Sequence, residues 1–277
     1  MDYFKDINDI VARALEEDIQ DGDISAQIVD EATIARARVI SRETAIICGQ
    51  PWVNEVTRQV DQELIIKWDV DEGDQVNQDD LLFTVQGSAR SILTAERTML
   101  NFLQSLSGTA TLTHRYVNLI SNTGTAILDT RKTIPGLRLA QKYAVHIGGA
   151  TNHRIGLFDA FLIKENHISA AGSISSAVSR ARSIKPAARV EVEVEKLDEL
   201  NEAISAKPDW IMLDNFSITE LRAACDLCSN TDIKLEASGG IESDEDLKSI
   251  AATGVHYISI GALTKHCKAI DLSMRFD

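Results

Sequence analysis

A regular alternation of short apolar strands with helical stretches, over the second half of the chain, constrains the fold most strongly. Six strands are predicted after residue 125, and they read TAILD, FLIK, RVEVEV, WIMLD, IKLEA and YISIG. The last five end roughly 20 to 30 residues apart, which is the size of one βα repeat. Many such units in one parallel sheet indicate an α/β barrel.

The first part of the chain has a different pattern. Residues 1–110 combine predicted helices over 7–17 and 94–106 with alternating strands such as ARARVIS and ELIIKWDV, which indicates an α/β sandwich. The segment 70–93 resembles the hairpins of biotinyl and lipoyl carrier domains, but it has no lysine at its tip and is interpreted as a structural hairpin. We therefore predict a sandwich domain over 1–110 and a barrel domain over 111–277, with a chain end that can return to the first domain.

Composition excludes several classes of protein. The 28 basic and 42 acidic residues give a formal charge of −14, which argues against nucleic acid or an anionic membrane surface as the partner. The first twenty residues are too acidic for a secretory signal, and no apolar run approaches the roughly 18 residues of a membrane span, so we expect a cytoplasmic protein. Glycine-rich dinucleotide and P-loop motifs are missing. The pair Cys225 and Cys228 falls in a predicted helix with no second metal-ligand pair nearby, which favours core residues.

Charged residues and glycines stand where the predicted barrel strands end. In α/β barrels the loops after the strands converge on one face, and catalytic groups gather there. The residues in question are Asp129, Arg131 and Lys132 after the first strand, Lys164 after the second, Glu193 in the third, Asp214 in the fourth, Ser238, Gly239 and Gly240 after the fifth, and Gly261 after the sixth. Residues 129–167 also hold six lysines and arginines against three acidic residues, which predicts a cationic pocket for an anionic ligand.

The basic residues suggest how such a ligand would be held. Arg131 offers a guanidinium fork for a carboxylate and Lys132 a point charge for a phosphate, unless both lie on a solvated loop. His153 alone would more often be a structural histidine, but beside Arg154 it is interpreted as a ligand contact. Lys164 closes an apolar strand, where an ammonium is costly to desolvate unless it meets an anion.

The acidic residues and glycines complete the predicted site. Glu191, Glu193 and Glu195 alternate with valines, so all three point to one side of the sheet; we expect Glu193 to face the barrel mouth and the other two to be exposed to solvent. Carboxylates beside a phosphate pocket hold sugar hydroxyls or Mg²⁺. The turns EASGGI and GAL offer bare backbone amides for phosphate.

These motifs together resemble the quinolinate phosphoribosyltransferase family. The resemblance runs nearly end to end and includes, in chain order, the segments ALEEDIQDGDIS, AERTMLNFLQSLSGTAT, LDTRKTIPGLR, AVHIGGATNHRIGL, IKENH, EVEVE, IMLDNF, EASGGI and GALTK. It implies an amino-terminal α/β sandwich joined to an open-sided, TIM-like α/β barrel. The implied reaction joins quinolinate to phosphoribosyl pyrophosphate with loss of carbon dioxide, and gives nicotinate mononucleotide and pyrophosphate for NAD biosynthesis. A homodimer with shared active sites is also implied, while further pairing of dimers stays open.

The resemblance further implies a role for each matching residue. Arg97 is similar to an arginine that crosses the dimer interface to the pyridine dicarboxylate, and Arg131, His153 and Arg154 match residues of the quinolinate pocket. Lys132 and Lys164 match lysines that neutralise substrate carboxylate and pyrophosphate. Glu193 and Asp214 match carboxylates for ribose and Mg²⁺. The implied phosphate cradle comprises Ser238, Gly239, Gly240 and Gly261.

One departure from the family pattern concerns the pyrophosphate contact. Many members have histidine directly after GALT, where this chain has Lys265 followed by His266. Two other functions stay open at the level of sequence. A related transferase for nicotinate or another aromatic acid would need fewer cations, and a non-catalytic phosphosugar-binding protein would not require Glu193 and Asp214.

Overall fold

The computed structural model describes residues 2–277 and divides them into two compact units. The first unit comprises the described residues up to His114 together with residues 133–149 and 263–277, and the second comprises residues 115–132 and 150–262. Among the described helices, none has the length and apolar character needed to cross a membrane.

Helices and strands alternate along most of the chain. The helices are α1 (Ile7–Ile19), α2 (Gln50–Val60), α3 (Ala89–Leu119), α4 (Arg138–Ile147), α5 (Glu165–Ala171), α6 (Ile174–Ile184), α7 (Leu197–Ala206), α8 (Ile218–Cys228), α9 (Asp244–Ala251) and α10 (Ala262–Lys265), with a short 3-10 helix at Ala26–Ile28. The strands are β1 (Ile34–Ser41), β2 (Ala45–Ile46), β3 (Ile65–Trp68), β4 (Gln75–Val76), β5 (Leu81–Ser88), β6 (Ala126–Leu128), β7 (Ala160–Ile163), β8 (Arg189–Val194), β9 (Trp210–Asp214), β10 (Lys234–Ser238), β11 (Tyr257–Ser259) and β12 (Leu272–Phe276).

The first unit is built on an antiparallel sheet with the strand order β12-β1-β5-β3. One face of the sheet is apolar, because every second residue of β1 from Ala37 onward is buried. The buried side of α2 carries Trp52, Val53 and Val56, and belongs to the same hydrophobic core as Phe83 of β5. The alternation seen in the sequence therefore gives a strand with one buried face.

The segment 70–93 does not form the predicted hairpin. β4 pairs with β2 in a separate two-stranded sheet, whereas β5 pairs with β1 and β3. That prediction was wrong because the turn residues between two predicted strands indicate that the chain reverses direction. They do not indicate which strands pair with each other.

Helix α3 is longer than the predicted helix over 94–106 and runs from Ala89 to Leu119. Its second half contains Gly108 and several threonines, which are poor helix formers. Packing overrides that preference: a Cβ atom on Gly108 would lie 2.0 Å from the carbonyl oxygen of Lys268. The buried Ser107 hydroxyl also bonds to both backbone groups of Cys48.

The second unit contains the six strands predicted from the sequence, in one parallel sheet with the order β6-β11-β10-β9-β8-β7. The mixed α/β class is confirmed, and among the described strands β6 and β7 are the two edges of this sheet, which leaves it open-sided. Valines at 190, 192 and 194 are buried on one face of β8. Glu191 and Glu193 alternate with them on the other face, toward the interior of the barrel.

The CxxC pair lies on α8, as predicted. Cys228 is buried and Cys225 is half-buried, and both are free thiols. Burial raises the pKa of each thiol above its ordinary value. Buried, protonated cysteines behave as small core residues rather than as metal ligands or nucleophiles.

Candidate active site

A pocket of about 430 Å³ opens at the carboxyl ends of the parallel strands in the second unit. Its volume is in the range of small-molecule sites. Its lining combines cationic, acidic and hydroxyl side chains, which are Asp129, Thr130, Arg131, Lys132, His153, Arg154, Leu162, Lys164, Glu193, Met212, Asp214, Glu236, Ser238 and Ser259. The structure thus brings together most of the residues that the sequence placed at the strand ends.

Asp129 anchors the segment that carries the second cation pair. Its fully buried carboxylate follows β6 and accepts hydrogen bonds from the backbone N–H of His153 at 2.7 Å and from the Asn152 amide at 2.8 Å. From the sequence, Asp129 is predicted only as a charge at the end of a strand. The residue's role is to hold the segment 152–154 against the end of β6.

Arg131 and Arg154 provide two guanidinium groups in this pocket. Burial and then the positive charge of Arg131 lower the pKa of Arg154 from its ordinary value, although an arginine stays protonated at neutral pH. Two guanidinium groups that repel one another are stabilised by an anion placed between them. The pair therefore suits a carboxylate-bearing ligand.

Lys164 and Glu193 form an ion pair on the wall of the pocket. Lys164 precedes α5 and is 42% exposed, whereas the Glu193 side chain near the end of β8 is only 10% exposed. The lysine therefore presents its ammonium group to the open pocket while it neutralises a nearly buried carboxylate.

The carboxyl ends of β9 and β10 are joined by hydrogen bonds beside the pocket. The Asn215 side-chain amide donates to Asp214 at 3.1 Å, and the Asn215 backbone N–H donates to the carbonyl of Ser238 at 2.8 Å. Gly239 has φ +85°, and a Cβ atom there would lie 2.0 Å from the Asn215 side-chain oxygen, so this position requires glycine. Gly240 follows it, also with positive φ.

Gly261 leaves room for a lysine. A Cβ atom at Gly261 would lie 2.9 Å from Cδ of Lys132, and the Lys132 backbone N–H bonds to the Thr130 hydroxyl at 3.0 Å. From the sequence, Gly261 is predicted to belong to a phosphate cradle. The structure adds that this glycine makes space for the Lys132 side chain.

A buried cluster of His153, Glu191 and Glu236 lies at the floor of the pocket, where His153 and Glu236 are among the lining residues. The Nε2 atom of His153 lies 3.0 Å from Oε2 of Glu191 and 3.1 Å from Oε2 of Glu236, and both glutamates are fully buried. The expectation that Glu191 is exposed to solvent was wrong, because its strand position lies below the mouth of the barrel. Glu195, beyond the end of β8, is exposed as expected.

Both nitrogen atoms of the His153 ring lie close to other groups of the protein. Its Nδ1 atom accepts the Arg154 backbone N–H at 2.7 Å and so keeps its lone pair. Burial lowers the pKa of His153, and the two glutamates outweigh burial and raise that pKa to about 9. A second proton would have to sit on Nδ1, where the Arg154 N–H already uses the lone pair, so this contact opposes the cation that the carboxylates favour; in either form Nε2 carries a proton.

The proton on Nε2 of His153 determines whether the cluster can bind a metal ion. The three candidate ligand atoms lie within 4.8 Å of one another, a spacing that a cation would tolerate. A histidine ligand binds a metal through a nitrogen lone pair, and the Nε2 atom of His153 carries the proton instead. The cluster therefore offers a metal ion no histidine lone pair, and it is held together by the close approach of Nε2 to both carboxylates.

The free energy of unfolding is expected to decrease as the pH rises through the titration of Glu191. Burial and the charge of Glu236 raise the pKa of Glu191 from 4.5 to about 7. The folded protein then holds a proton that the unfolded chain releases. This contribution of Glu191 to the free energy of unfolding is fully present below pH 4.5 and is lost as the pH rises to about 7. Urea unfolding of the unaltered protein and of Glu191→Gln between these values tests this, and a difference between the two that does not change with pH contradicts it.

The remaining predicted residues belong to the first unit. Arg97 is exposed on α3, and Lys265 is exposed at the end of α10. Arg138 and Lys142, which the sequence counted among the local cations, lie on α4 of that unit, and Lys142 is fully buried. Their roles toward a ligand stay predictions.

Glu236 is the pocket residue that sequence analysis missed most clearly. It begins the segment EASGGI, two residues before Ser238, so strand alternation places both side chains on the same face of β10. That signal was available in the sequence.

Comparison with known proteins adds an independent finding. The profile described as the quinolinate phosphoribosyl transferase C-terminal domain matches residues 109–275, and that of the N-terminal domain matches residues 23–107. The chain is similar to the nicotinate-nucleotide pyrophosphorylase (carboxylating) of Mycobacterium leprae, with 39% identity over 98% of this chain and 97% of the relative. A similar protein from Bacillus subtilis, named as a probable enzyme of this kind, is 39% identical over 93% of this chain and 89% of the relative. The solved structure of the nicotinate-nucleotide pyrophosphorylase from Francisella tularensis is 52% identical, with a TM-score of 0.94 over 98% of this chain and 97% of that one.

Proposed function

The chain belongs to the quinolinate phosphoribosyltransferase family, and from that premise we propose that it transfers phosphoribosyl from phosphoribosyl pyrophosphate to quinolinate. The products are nicotinate mononucleotide, pyrophosphate and carbon dioxide, which places the enzyme in NAD biosynthesis. The observation that carries the proposal is the gathering of two guanidinium groups, two ammonium groups and four carboxylates around one pocket at the strand ends.

The role of each side chain in the pocket follows from its chemistry. Arg131 and Arg154 bind the pyridine carboxylates through planar forks, and Lys132 and Lys164 stabilise charge on the pyrophosphate as it leaves. The ring nitrogen of quinolinate then bonds to the sugar C1 as the bond to pyrophosphate breaks. When the adjacent carboxylate leaves as carbon dioxide, the electron pair of the C–C bond stays on the ring carbon, where the cationic nitrogen stabilises it, and that carbon then takes up a proton from water. No side chain has to act as a nucleophile.

Glu193 and Asp214 fit a Mg²⁺ ion. Both are oxygen donors at the ends of neighbouring strands and line the same pocket, and Mg²⁺ in proteins commonly takes one or two carboxylates together with substrate phosphates. When bound, the ion supplies positive charge to the pyrophosphate oxygens. The Asn215 amide steadies Asp214 for this task, and Lys164 neutralises Glu193.

An assay with two aromatic acids tests the function. The purified protein is incubated with phosphoribosyl pyrophosphate, Mg²⁺ and either quinolinate or nicotinate, and nicotinate mononucleotide and carbon dioxide are followed. We expect product from quinolinate, with carbon dioxide in equal amount. Product from nicotinate alone would instead support the related transferase, and product from neither would support a phosphosugar-binding protein.

We propose a homodimer in which Arg97 reaches the partner's pocket. The support is the resemblance of the ERT segment and the exposure of Arg97 on α3. Arg97→Ala and Arg131→Ala subunits are each expected to be inactive alone, and mixed dimers are expected to regain activity because one of their two sites carries neither change. The activity of refolded mixtures measures this, and a mixture that stays inactive would show that the sites are not shared.

A cytoplasmic location is part of the same proposal. All four cysteines are free thiols, which suits a reducing compartment. Fractionation of cells that express the protein, followed by assay of each fraction, tests it.

A further inference from the structure

The buried cluster of His153, Glu191 and Glu236 is costly for a barrel interior. Such interiors are usually filled by branched apolar side chains, and two carboxylates without access to water carry a large desolvation penalty. Arg189 offsets part of that penalty, since its guanidinium lies 3.8 Å from Glu191 and stacks on the ring of Trp210. Two of the three residues line the pocket, so this costly arrangement is placed to act on the bound ligand.

The cluster fixes the His153 ring from several sides. Nε2 lies between the two carboxylates, and Nδ1 accepts the Arg154 backbone N–H. The edge of Trp210 meets the ring at 88° with the centroids 6.0 Å apart, and Trp210 in turn stacks on Tyr257 at 4.3 Å. The ring is therefore held in one orientation and connects the interior of the sheet to the backbone of Arg154.

We infer that Glu191 and Glu236 are positioning residues which, through the His153 ring, fix the backbone of Arg154 and so orient its guanidinium toward the aromatic acid. This inference rests on the proposed function, because it gives Arg154 a substrate carboxylate to bind. It gives His153 a positioning task in addition to the ligand contact predicted from the sequence, since His153 also lines the pocket.

A pair of double variants separates positioning from charge. Gln at both positions keeps a polar oxygen close to Nε2 of His153, where the carboxylates lie at 3.0 and 3.1 Å, whereas Met at both positions has a similar volume but no oxygen. In Glu191→Met/Glu236→Met we expect the KM for quinolinate to rise at least about tenfold while the KM for phosphoribosyl pyrophosphate changes less than about threefold, because the ring is released and Arg154 shifts. In Glu191→Gln/Glu236→Gln both KM values should stay within about threefold of the unaltered enzyme.

Glu195→Met is the matched control, because Glu195 follows the same strand but is exposed. It should leave both KM values unchanged. The inference is overturned if the Met pair has an unaltered KM for quinolinate, if both KM values rise together, or if the Gln pair is impaired as severely as the Met pair. Inactivity of the unaltered protein toward quinolinate would instead refute the proposed function, so the two failures are distinguishable.

A further variant covers the case in which the Met pair does not fold. His153→Phe keeps a ring of similar shape against Trp210 but removes both nitrogen contacts. It should reproduce the selective rise in the KM for quinolinate, and an unaltered value would overturn the inference on its own. Circular dichroism and thermal unfolding of each variant show whether the fold is intact.

Discussion

Replacement of Arg154 by Met is expected to lower kcat/KM for quinolinate by about 10²- to 10³-fold, as loss of one preorganised charged donor does. The ligand-free protein should at the same time become more stable. Burial and the charge of Arg131 already lower the pKa of Arg154, so the empty pocket holds its two guanidinium groups against their mutual repulsion. Steady-state kinetics and urea unfolding of the same preparation measure the two effects.

Ligand-induced stabilisation provides a second readout for this variant. Quinolinate at one hundred times its Kd should stabilise the unaltered protein by about 2.7 kcal/mol, and the same concentration should hardly stabilise Arg154→Met. Arg222→Met, which changes an exposed arginine on α8, should leave both the activity and the ligand effect unaltered. A fall in the stability of ligand-free Arg154→Met would show that the attraction of Arg154 to Glu191 and Asp159 outweighs its burial and its repulsion by Arg131.

Replacement of Lys164 by Met should have an effect of similar size, but on kcat. The ammonium group is expected to stabilise the departing pyrophosphate, and loss of such a charge costs about 10²- to 10³-fold. The variant also leaves the nearly buried Glu193 carboxylate without its cation, so the pocket becomes more repulsive toward an anionic substrate. Single-turnover kinetics at saturating substrate separate the chemical step from binding.

The chain offers a matched control for this substitution. Lys248 forms a lysine–glutamate pair with Glu245 at 2.7 Å, on the exposed side of α9. Lys248→Met removes the same kind of pair and should leave kcat unaltered, because an exposed pair contributes little. If Lys164→Met retains more than about a tenth of the activity, Lys164 has no major part in stabilising the transition state.

The strands of the second unit could be predicted because their apolar runs are a local property of the sequence. The same alternation correctly placed Glu193 on the inner face of β8, at the pocket. It could not show how deep an inner residue lies. Glu191 is buried because its neighbours across the sheet include Trp210 of β9, and the register of neighbouring strands is not visible in a single sequence.

Other features depended on contacts that are distant along the chain. Asp129 anchors the segment 152–154 through two hydrogen bonds that span more than twenty residues. Helix α3 continues beyond its predicted end because Gly108 fits against the backbone of Lys268. Local propensity disfavours that extension, and only packing favours it. Residue types at strand ends thus predicted which groups enter the pocket, but not which groups hold them there.

The pairing of β12 with β1 has a consequence for how the protein is made. During synthesis β1 leaves the ribosome early, yet its partner at Leu272–Phe276 is translated more than two hundred residues later. At 5–20 residues per second the edge of β1 stays open for on the order of ten seconds or more. An unpaired strand edge is a template for aggregation, so nascent chains that stall before residue 272 expose an edge that the finished protein covers.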